Sequence, residues 1–426
     1  MSEVKSLAFD AAMVDWCRNQ FPSLQRKEND REVVFLDGPA GTQVPNSVIS
    51  AISKYLIDCN ANHGGAFGTS VESDRRMHDA HQALADFVNA DSGDEITFGQ
   101  NMTSLTFSFS RAIAQDWKAG DEVIVTALDH DANISPWLLA ARDAGVTIKW
   151  VKYRESDYLL DMDDLKNQLS DKTKLIAVVA ASNATGGVNP IREVADLAHG
   201  IGAQVYVDAV HYGPHDLIDV KAWDCDFLAC STYKFFGPHL GVVWARRELL
   251  EKMVPYKVRP ASNELPDKWM TGTQSFESIA GGMAAVDYLA EIGSRLSGAS
   301  GRREQLQSAF QAIGEYEQSL SRQLIKGLLA IDGVKIYGVT DLDSLDQRVP
   351  TFSITHPAIS SSDLAKGLAE QGVYVWSGHY YALEFTTRVG LMPDGMVRIG
   401  AVHYNTPEEI ERLLDAISNC VKSKLG

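Results

Sequence analysis

The sequence predicts an α/β protein in which a mostly parallel sheet is covered by helices and is followed by a smaller α+β domain. From residue 122 to residue 245, short apolar runs of strand length alternate with amphipathic stretches of helical period. The apolar runs are nearly continuous, as expected for strands that are buried on both faces. Polar residues recur directly after these runs. This rhythm is typical of parallel strands connected by helices.

The composition is that of a globular protein and excludes several classes of partner. The chain has 426 residues, 45% hydrophobic and 22% charged, which is enough for a large core and two domains. The net charge of −17 repels phosphates and argues against nucleic acid or an anionic membrane as a partner. The five cysteines are scattered without a CxxC pair or a Cys/His cluster, so neither a disulfide framework nor a metal site is predicted.

The sequence shows no sign of export or of membrane insertion. Residues 1–21 mix acidic, basic and apolar side chains without the long apolar core of a secretory signal. The longest apolar runs, such as residues 175–181, have the length of a strand and are too short to cross a bilayer. A cytoplasmic location is therefore expected.

The N-terminal part of the chain is expected to contain two helices, a strand and a loop. The spacing of apolar residues predicts helices over 6–20 and 45–58, with a strand at 33–36 and a turn at 37–42 between them. Residues 60–65 are rich in Gly and Asn and predict a loop. The backbone of this loop either approaches a ligand closely, which makes His63 a candidate substrate contact, or lies on the surface, as composition alone favours.

The next strand leads into a helix through small polar residues. A helix over 73–88 is followed by a strand at 95–98, and Met102 and Thr103 begin a helix that extends to about residue 115. Hydroxyl and N–H groups between a strand end and a helix start can bind an anion. They are also ordinary helix caps, and without other observations the cap is favoured.

The alternation of strands and helices is clearest from residue 122 onward. Strands are predicted at 123–125, 146–151, 175–181, 203–207 and 225–230, and helices at 136–144, 163–169 and 191–200. The polar side chains that follow strand ends are Thr103, His130, Asn183, Asp208 and Lys234. Five such residues at one edge of a sheet indicate a site more strongly than any one of them.

Asp208 and Lys234 indicate the chemistry of this edge. Each follows a buried strand, and the carboxyl ends of neighbouring parallel strands form the crevice where α/β proteins bind ligands. A pyridoxal phosphate (PLP) enzyme needs both groups. The lysine forms a Schiff base with the cofactor, and the carboxylate keeps a proton on the pyridine nitrogen so that the ring acts as an electron sink.

Beyond Lys234 the pattern changes to that of a smaller α+β domain. The strand at 240–245 is expected to run antiparallel at the far side of the sheet, and residues 269–274 to form a loop. Helices are predicted over 276–292, 304–330, 361–371 and 407–421, and strands over 334–337, 351–354, 373–376 and 396–399. Glycines between 293 and 301 indicate a boundary. We therefore expect a large domain over 33–295 and a small domain formed by 1–32 together with 296–426.

Three motifs carry a resemblance to a known family: Asp208-Ala209-Val210-His211, Asp224-Cys225-Asp226-Phe227 and Ser231-Thr232-Tyr233-Lys234. Over almost its whole length the chain resembles PLP-dependent enzymes of fold type I, in the class V aminotransferase group. It is most similar to the branch of cysteine desulfurases and selenocysteine lyases. The resemblance implies a mostly parallel seven-stranded sheet. It also implies a homodimer with shared active sites, in which a loop containing Gly272 and Thr273 reaches the phosphate of the neighbouring subunit.

The resemblance also implies roles for individual residues. Lys234 holds the cofactor and moves the Cα proton of an amino acid substrate. Asp208 pairs with the pyridine N–H, and His130 stacks on the cofactor ring. His211 hydrogen-bonds the phenolic oxygen of the cofactor, at a position where the family often has Gln.

Further positions concern the phosphate and the substrate carboxylate. Met102, Thr103, Ser231 and Tyr233 are expected at the phosphate, the last where the family often has His. Asn183 is expected beside the cofactor and the substrate carboxylate. Arg398 is the expected carboxylate clamp, for which the fork of a guanidinium is well suited.

One segment departs from the family. Desulfurases and selenocysteine lyases carry a nucleophilic cysteine in an Arg-x-Gly-His-x-Cys stretch, whereas this chain has Trp376-Ser377-Gly378-His379-Tyr380-Tyr381. Tyr381 stands at the cysteine position, and a phenol cannot accept sulfur as a thiolate does. Cys230 lies within an apolar strand and is expected to be core packing. The aromatic side chains either bind a larger or more apolar substrate than cysteine, with Tyr381 as a contact, or only pack the two domains together.

Three functions stay open from the sequence. The first is a PLP enzyme that acts on an amino acid through an external aldimine and a quinonoid, by transamination, epimerisation or β-elimination. The second is a cysteine desulfurase or selenocysteine lyase with an atypical sulfur acceptor. The third is a non-catalytic relative that serves as a scaffold, but a scaffold needs neither Lys234 nor Asp208.

Overall fold

The computed structural model describes residues 9–28 and 30–425. The strands are β1 (Lys27–Glu28), β2 (Arg31–Glu32), β3 (Val34–Phe35), β4 (Ile96–Gly99), β5 (Glu122–Thr126), β6 (Thr147–Val151), β7 (Thr173–Val179), β8 (Gln204–Asp208), β9 (Phe227–Ser231), β10 (Gly241–Ala245), β11 (Lys335–Tyr337), β12 (Thr351–Thr355), β13 (Val373–Tyr374), β14 (Trp376–Gly378) and β15 (Met396–Gly400).

Eleven of the fourteen α-helices in the described residues overlap ranges that the sequence predicts, and three short ones (220–223, 247–252 and 383–388) were not predicted. The helices are α1 (Ala11–Gln20), α2 (Asn46–Asp58), α3 (Gly68–Val88), α4 (Met102–Ile113), α5 (Ser135–Ala144), α6 (Met162–Gln168), α7 (Ile191–His199), α8 (Val220–Trp223), α9 (Arg247–Lys252), α10 (Phe276–Ser297), α11 (Arg302–Leu329), α12 (Ser361–Glu370), α13 (Leu383–Arg388) and α14 (Pro407–Leu425). The first helix was predicted over 6–20, of which residues 6–8 lie outside the described part of the chain.

A seven-stranded sheet in the order β4-β10-β9-β8-β7-β5-β6 forms the centre of the molecule. All of its strands run parallel except β10, which is antiparallel to both β4 and β9. The predicted mostly parallel sheet is therefore confirmed.

The predicted place of the antiparallel strand was wrong. β10 was expected at the far side of the sheet, but it lies between β4 and β9. All five residues of β10 are buried. A strand with this burial needs hydrogen-bonding partners on both edges, which β4 supplies on one side and β9 on the other.

Helices cover both faces of the sheet, and the side chains of each strand alternate between two hydrophobic clusters. Val205 and Val207 point into cluster 1, which contains residues of α1, α3, α10 and the first half of α11. Tyr206, between them, points into cluster 2 on the opposite face, with residues of α4 and α5. Both faces of the strands are thus buried, which explains why the sequence shows continuous apolar runs.

A second, four-stranded antiparallel sheet in the order β11-β12-β15-β14 forms the C-terminal α+β part. Its apolar face packs in cluster 3 with the second half of α11, α12 and α14. The short strand β3 from the N-terminal segment pairs in parallel with β13, so the beginning of the described chain is tied to this part.

In residues 9–28 and 30–425, none of the helices is both long enough and apolar enough to span a membrane.

Candidate active site

The carboxyl ends of β8 and β9 bring Asp208 and Lys234 to one edge of the large sheet. The two strands are parallel neighbours, with Asp208 opposite Ala229. Asp208 is the last residue of β8, and Lys234 lies in a short 3-10 turn that directly follows β9. Both side chains are buried. The structure therefore brings the two residues together at the carboxyl edge of the large sheet.

Lys234 is held as a desolvated amine. Its Nζ donates to the carbonyl oxygen of Pro39 and lies 4.8 Å from the centre of the Tyr233 ring. Burial and, to a lesser extent, the positive charge of Arg398 lower the pKa of Lys234 to about 7, against the opposing effects of Asp208 and Asp37. A lysine with this pKa is substantially neutral near neutral pH and can act as a nucleophile or a base.

Asp208 is a buried carboxylate whose negative charge is only partly balanced by its surroundings. Its Oδ1 accepts from the Val210 N–H at 2.9 Å. Burial raises the pKa of Asp208 to about 6, although the Val210 N–H and the charge of Lys234 favour the ionised form. A protonated ring nitrogen placed against this carboxylate would supply the missing positive partner.

His130 presents a neutral ring at the same edge. Burial lowers the pKa of His130 to about 3, and the charges of Lys234 and Arg398 act in the same direction. Its Nδ1 accepts from the Ala132 N–H at 3.0 Å, which fixes the ring plane. One face stacks on Tyr381, with ring centroids 5.4 Å apart and an angle of 26° between the planes.

Arg398 and Asn183 form a second cluster of polar side chains. Arg398 comes from β15 of the small sheet, and Asn183 comes from the loop after β7 of the large sheet. Arg398 Nη1 donates to the Asn183 carbonyl oxygen at 3.0 Å, and Asn183 Nδ2 donates to the Tyr380 carbonyl oxygen at 3.0 Å. The Arg398 guanidinium lies 4.4 Å from the centre of the Tyr380 ring. Arg398 Nε and Asn183 Oδ1 are buried without a partner among the described residues. This leaves a donor and an acceptor free to bind a polar ligand.

His211 is buried and lies three residues after Asp208, the last residue of β8. Its Nε2 lies 2.9 Å from the Thr351 hydroxyl, while its Nδ1 is buried without a partner in the described structure. Burial lowers the pKa of His211 well below its ordinary value, so the ring is neutral.

Asp37 belongs to the site and was not predicted from the sequence. One of its carboxylate oxygens is buried without a partner among the described residues. Burial raises the pKa of Asp37 to about 6, and the charges of Arg398 and Lys234 partly oppose this effect. The signal was present, because Asp37 directly follows the apolar run 33–36 in the sequence, as Asp208 follows the run 203–207.

Other predicted residues are not joined to this group within the described chain. His63 is exposed, and its ring lies 6.2 Å from that of Phe276. Gly272 and Thr273 are exposed in the loop before α10. The homodimer and the contribution of this loop to a neighbouring subunit stay predictions.

The residues predicted at the phosphate lie around the same sheet edge. Met102 is buried and Thr103 exposed in the first turn of α4. Ser231 is buried at the end of β9, and the Tyr233 ring stacks on His239 with centroids 4.9 Å apart. Their role in binding a phosphate stays a prediction.

The crevice fits the predicted cofactor. Its buried polar atoms without partners are His211 Nδ1, Asn183 Oδ1, Arg398 Nε and one oxygen of Asp37. Such atoms cost free energy unless a ligand satisfies them, typically about 1–3 kcal/mol each. PLP offers a ring nitrogen for Asp208, an oxygen for His211 and an aldehyde for Lys234.

Comparison with known proteins agrees with this fit. The sequence matches the family Aminotransferase class-V over residues 34–413. An aminotransferase-like protein, FGM3, from Gibberella zeae is 33% identical over 412 residues, with 94% of this chain and 96% of the relative covered. A probable cysteine desulfurase from Synechocystis is 32% identical over 424 residues, with 95% of each covered.

Solved structures share the fold. The apo structure of cysteine desulfurase from Thermococcus onnurineus superimposes with a TM-score of 0.85 at 24% identity and covers 96% of this chain and 98% of its own. The cysteine desulfurase CsdA from Escherichia coli gives a TM-score of 0.83 at 24% identity, with 96% and 99% covered. The family match over most of the sequence and the relatives along its length show that the chain belongs to the class V aminotransferase family of PLP-dependent enzymes.

Proposed function

We propose that this enzyme moves the Cα proton of an amino acid, in a transamination, an epimerisation or a β-elimination, and that it does not pass sulfur to a cysteine. The observation that carries the proposal is Tyr381. The resemblance of residues 376–381 to the family's Arg-x-Gly-His-x-Cys stretch implies that Tyr381 stands where the family has its nucleophilic cysteine, and its ring stacks on the neutral His130. A phenol at this place cannot form a persulfide.

The cysteines of the chain do not offer a substitute thiolate. Cys17, Cys59, Cys225, Cys230 and Cys420 are all buried. Burial raises the pKa of each thiol, and for Cys17 the value reaches about 12. Cys230 is nearest to Lys234 in sequence, but it packs inside cluster 1 within β9. A buried thiol of raised pKa is a poor nucleophile.

The chain's own groups support proton transfer at Cα. When bound, PLP withdraws electrons from Cα and so acidifies its proton. Lys234, with its pKa lowered to about 7, can accept this proton and return it. We expect Arg398 and Asn183 to bind the substrate carboxylate, and Asp208 to keep the cofactor's ring nitrogen protonated.

The surroundings of Arg398 favour an apolar substrate side chain. In the β14–β15 register Trp376 lies directly opposite Arg398, so both side chains project from the same face of the small sheet. Trp376 is 53% exposed and Tyr381 is 66% exposed. Exposed aromatic rings beside a carboxylate clamp provide apolar surface for the side chain of a bound amino acid.

The test is a screen of L- and D-amino acids with the PLP-loaded enzyme, with and without 2-oxo acids. Conversion of the cofactor to its amine form, reversed by a 2-oxo acid, identifies transamination. Exchange of the Cα proton with deuterium from the solvent, together with inversion, identifies epimerisation, and release of a 2-oxo acid with ammonia identifies β-elimination. Lys234→Ala is expected to lose turnover by at least about 100-fold, since a general base contributes this much.

L-Cysteine is the decisive substrate for the competing function. The relatives named cysteine desulfurases make this arm necessary. In the presence of an added thiol as the two-electron reductant, formation of alanine with release of sulfide at the rate of the best amino acid, abolished in Lys234→Ala, would overturn the proposal in favour of a desulfurase with an atypical acceptor. An enzyme that binds PLP and leaves the Cα proton of every amino acid unexchanged would also contradict it.

A further inference from the structure

We propose that Ser353 is a positioning residue for Arg398. It holds the turn that carries Asn183 against the small sheet, and it thereby keeps the Nε side of the Arg398 guanidinium free for the carboxylate of a substrate. The proposal deepens the proposed function and rests on the expectation stated there that Arg398 binds this carboxylate. It gives a function to a fully buried serine of the small sheet.

Ser353 and Arg398 are direct neighbours on one face of the small sheet. In the β12–β15 register Ser353 lies opposite Arg398, and in the β14–β15 register Trp376 lies opposite Arg398 from the other side. The three side chains therefore form a row across the sheet. Ser353 and Arg398 are buried, whereas Trp376 is exposed. The row is thus closed at Ser353 and open at Trp376, and a ligand can reach Arg398 from the open end.

Two consecutive residues of the large domain meet this row. Arg398 Nη1 donates to the Asn183 carbonyl oxygen at 3.0 Å, and Ser353 Oγ donates to the Ala184 carbonyl oxygen at 2.6 Å. A carbonyl oxygen only accepts, so the direction of both hydrogen bonds is fixed by chemistry. Two neighbouring donors of the small sheet therefore hold the first half of the turn over residues 182–187.

The second half of this turn is held by main-chain groups instead. The Val349 N–H donates to the Gly186 carbonyl oxygen at 2.9 Å, and the Val188 N–H donates to the Gln347 carbonyl oxygen at 2.9 Å. Within residues 9–28 and 30–425, Ser353 supplies the one hydrogen bond to the Ala184 carbonyl oxygen. Without its hydroxyl this buried carbonyl would lack a donor, and the first half of the turn would depend on Arg398 alone.

The position of the turn decides which side of the guanidinium is free. Arg398 Nη1 is occupied by the Asn183 carbonyl oxygen, and the Tyr380 ring lies 4.4 Å from the guanidinium carbon. Arg398 Nε is buried without a partner among the described residues. A carboxylate can take two parallel hydrogen bonds from the edge of a guanidinium that contains Nε. If the turn moved, Nη1 would lose its fixed acceptor, the guanidinium would be free to rotate, and Nε would lose its direction.

The test measures how strongly the site prefers a carboxylate over an amide of the same shape. The PLP-loaded protein is titrated by calorimetry with 3-phenylpropionate and with 3-phenylpropionamide, and the ratio of the two dissociation constants is the preference. The wild type is expected to prefer the carboxylate, and Arg398→Ala to lose the preference. Ser353→Ala is expected to lower the preference about tenfold, the order of one hydrogen bond to a charged group. A wild type that binds 3-phenylpropionate no better than the amide overturns the proposal.

Three further variants separate positioning from simple packing. Ser353→Thr keeps the hydroxyl, so it is expected to retain the preference even where its extra methyl group weakens the binding of both ligands. Ser353→Cys, with a weak donor, is expected to lie between the wild type and Ser353→Ala. Ser361→Ala is the matched control, because the Ser361 hydroxyl is also buried and donates to the Gly395 carbonyl oxygen at 3.0 Å, away from the turn. It is expected to keep the preference of the wild type.

The same set of variants contains the outcomes that contradict the proposal. An unchanged preference in Ser353→Ala shows that Arg398 keeps its direction without the serine. An equal loss of preference in Ser353→Thr or in Ser361→Ala shows a general packing defect. The preference requires no turnover, so it is measured independently of the reaction. Absence of Cα proton exchange would contradict the proposed function and leave this inference standing, and loss of the preference in the wild type would do the reverse.

Discussion

Lys234 and Arg398 are buried close together. The carboxylates around them offset only part of the free energy that it costs to bury two positive charges. Burial and the charge of Arg398 lower the pKa of Lys234 to about 7, while Asp208 and Asp37 act in the opposite direction. Burial lowers the pKa of Arg398 as well, to about 10. Burying these charged groups costs free energy, and a bound cofactor and a substrate carboxylate would recover part of that cost. Groups with shifted pKa values of this kind are common in active sites.

Asp208→Asn is expected to have opposite effects on the apo and PLP-bound forms. The pKa of Asp208 is raised from 3.8 to about 6, so the folded apo form binds the proton more tightly than the unfolded chain does. The free energy of unfolding therefore falls as the pH rises from about 4 to about 6 and stays lower above that. Removing this charge is expected to stabilise the apo protein at neutral pH, by up to roughly 3 kcal/mol. In the bound form the variant loses the partner of the ring nitrogen and binds PLP more weakly.

Thermal unfolding of both forms across this pH range checks the expectation. Asp226→Asn is the matched control, because Asp226 is also buried but accepts from the Val205 N–H and from Arg246. This paired carboxylate is expected to stabilise the apo protein, and its variant to be less stable at neutral pH. An apo Asp208→Asn protein that is less stable than the wild type at neutral pH would show that the Asp208 carboxylate is compensated.

The residues of the site differ in how far the sequence can predict them. Asp208, His130 and Lys234 follow strand ends, and the topology of a parallel sheet brings strand ends together. Asp37 has the same local signal, but its strand belongs to another sheet, so nothing in the pattern connects it with Lys234. Thr351 begins a strand instead of ending one. Its contact with His211 joins residues 140 positions apart, and local pattern does not predict such a contact.

At the scale of elements, the segment between β14 and α13 differs most from the family pattern that the sequence suggests. Tyr380 and Tyr381 both have a positive φ, 49° and 59°. The Tyr381 carbonyl oxygen accepts from the Asp131 N–H at 2.7 Å, so this segment is joined to the turn that carries His130. Two consecutive left-handed tyrosines cost about 1–2 kcal/mol each. Backbone strain of this kind is found at functional sites.

Tyr381→Gly is expected to change substrate selection while leaving the stability of the protein almost unchanged. Glycine adopts the left-handed conformation freely and the exposed ring contributes little to the core, so the free energy of unfolding is expected to change by less than about 1 kcal/mol. The loss of the ring is expected to lower kcat/KM for bulky apolar amino acids about tenfold, and less for alanine.

Two companion variants make this result specific. Tyr381→Phe keeps the ring and is expected to retain the selectivity. Tyr380→Gly relieves a similar φ but removes the ring under Arg398 and the hydrogen bond to Met396, so it is expected to lose stability. Equal kcat/KM losses for alanine and for bulky substrates in Tyr381→Gly would contradict a role for Tyr381 in substrate selection.

The elements also show where local pattern fails. The existence and type of most helices and strands follow from apolar periodicity, because the large sheet is buried on both faces. The neighbours of β10 in the sheet do not follow from apolar periodicity, since the same buried pattern fits any interior position of the sheet. The place of β10 is fixed by pairing with β4, which is distant in the chain.

At the scale of the whole molecule, α11 connects the two parts that the sequence separates. Its first half contributes Phe310 to cluster 1, which includes the large sheet, and its second half contributes Leu324 to cluster 3 under the small sheet. The N-terminal helix α1 makes a similar connection. Its Val14 packs in cluster 1, while Arg18 donates to the Tyr404 carbonyl oxygen and to Glu409 of α14. The predicted boundary near residue 296 therefore lies just before a helix that both cores share.

The shared helix leads us to expect that the apo protein unfolds in a single calorimetric transition. Phe310→Ala and Leu324→Ala are each expected to lower the temperature of this same transition, because each removes a fully buried side chain at a cost of about 2–5 kcal/mol. Leu329→Ala, at the exposed end of the same helix, is expected to change stability by less than about 0.5 kcal/mol. Two transitions, with Phe310→Ala moving one and Leu324→Ala moving the other, would instead mean that the two cores unfold independently.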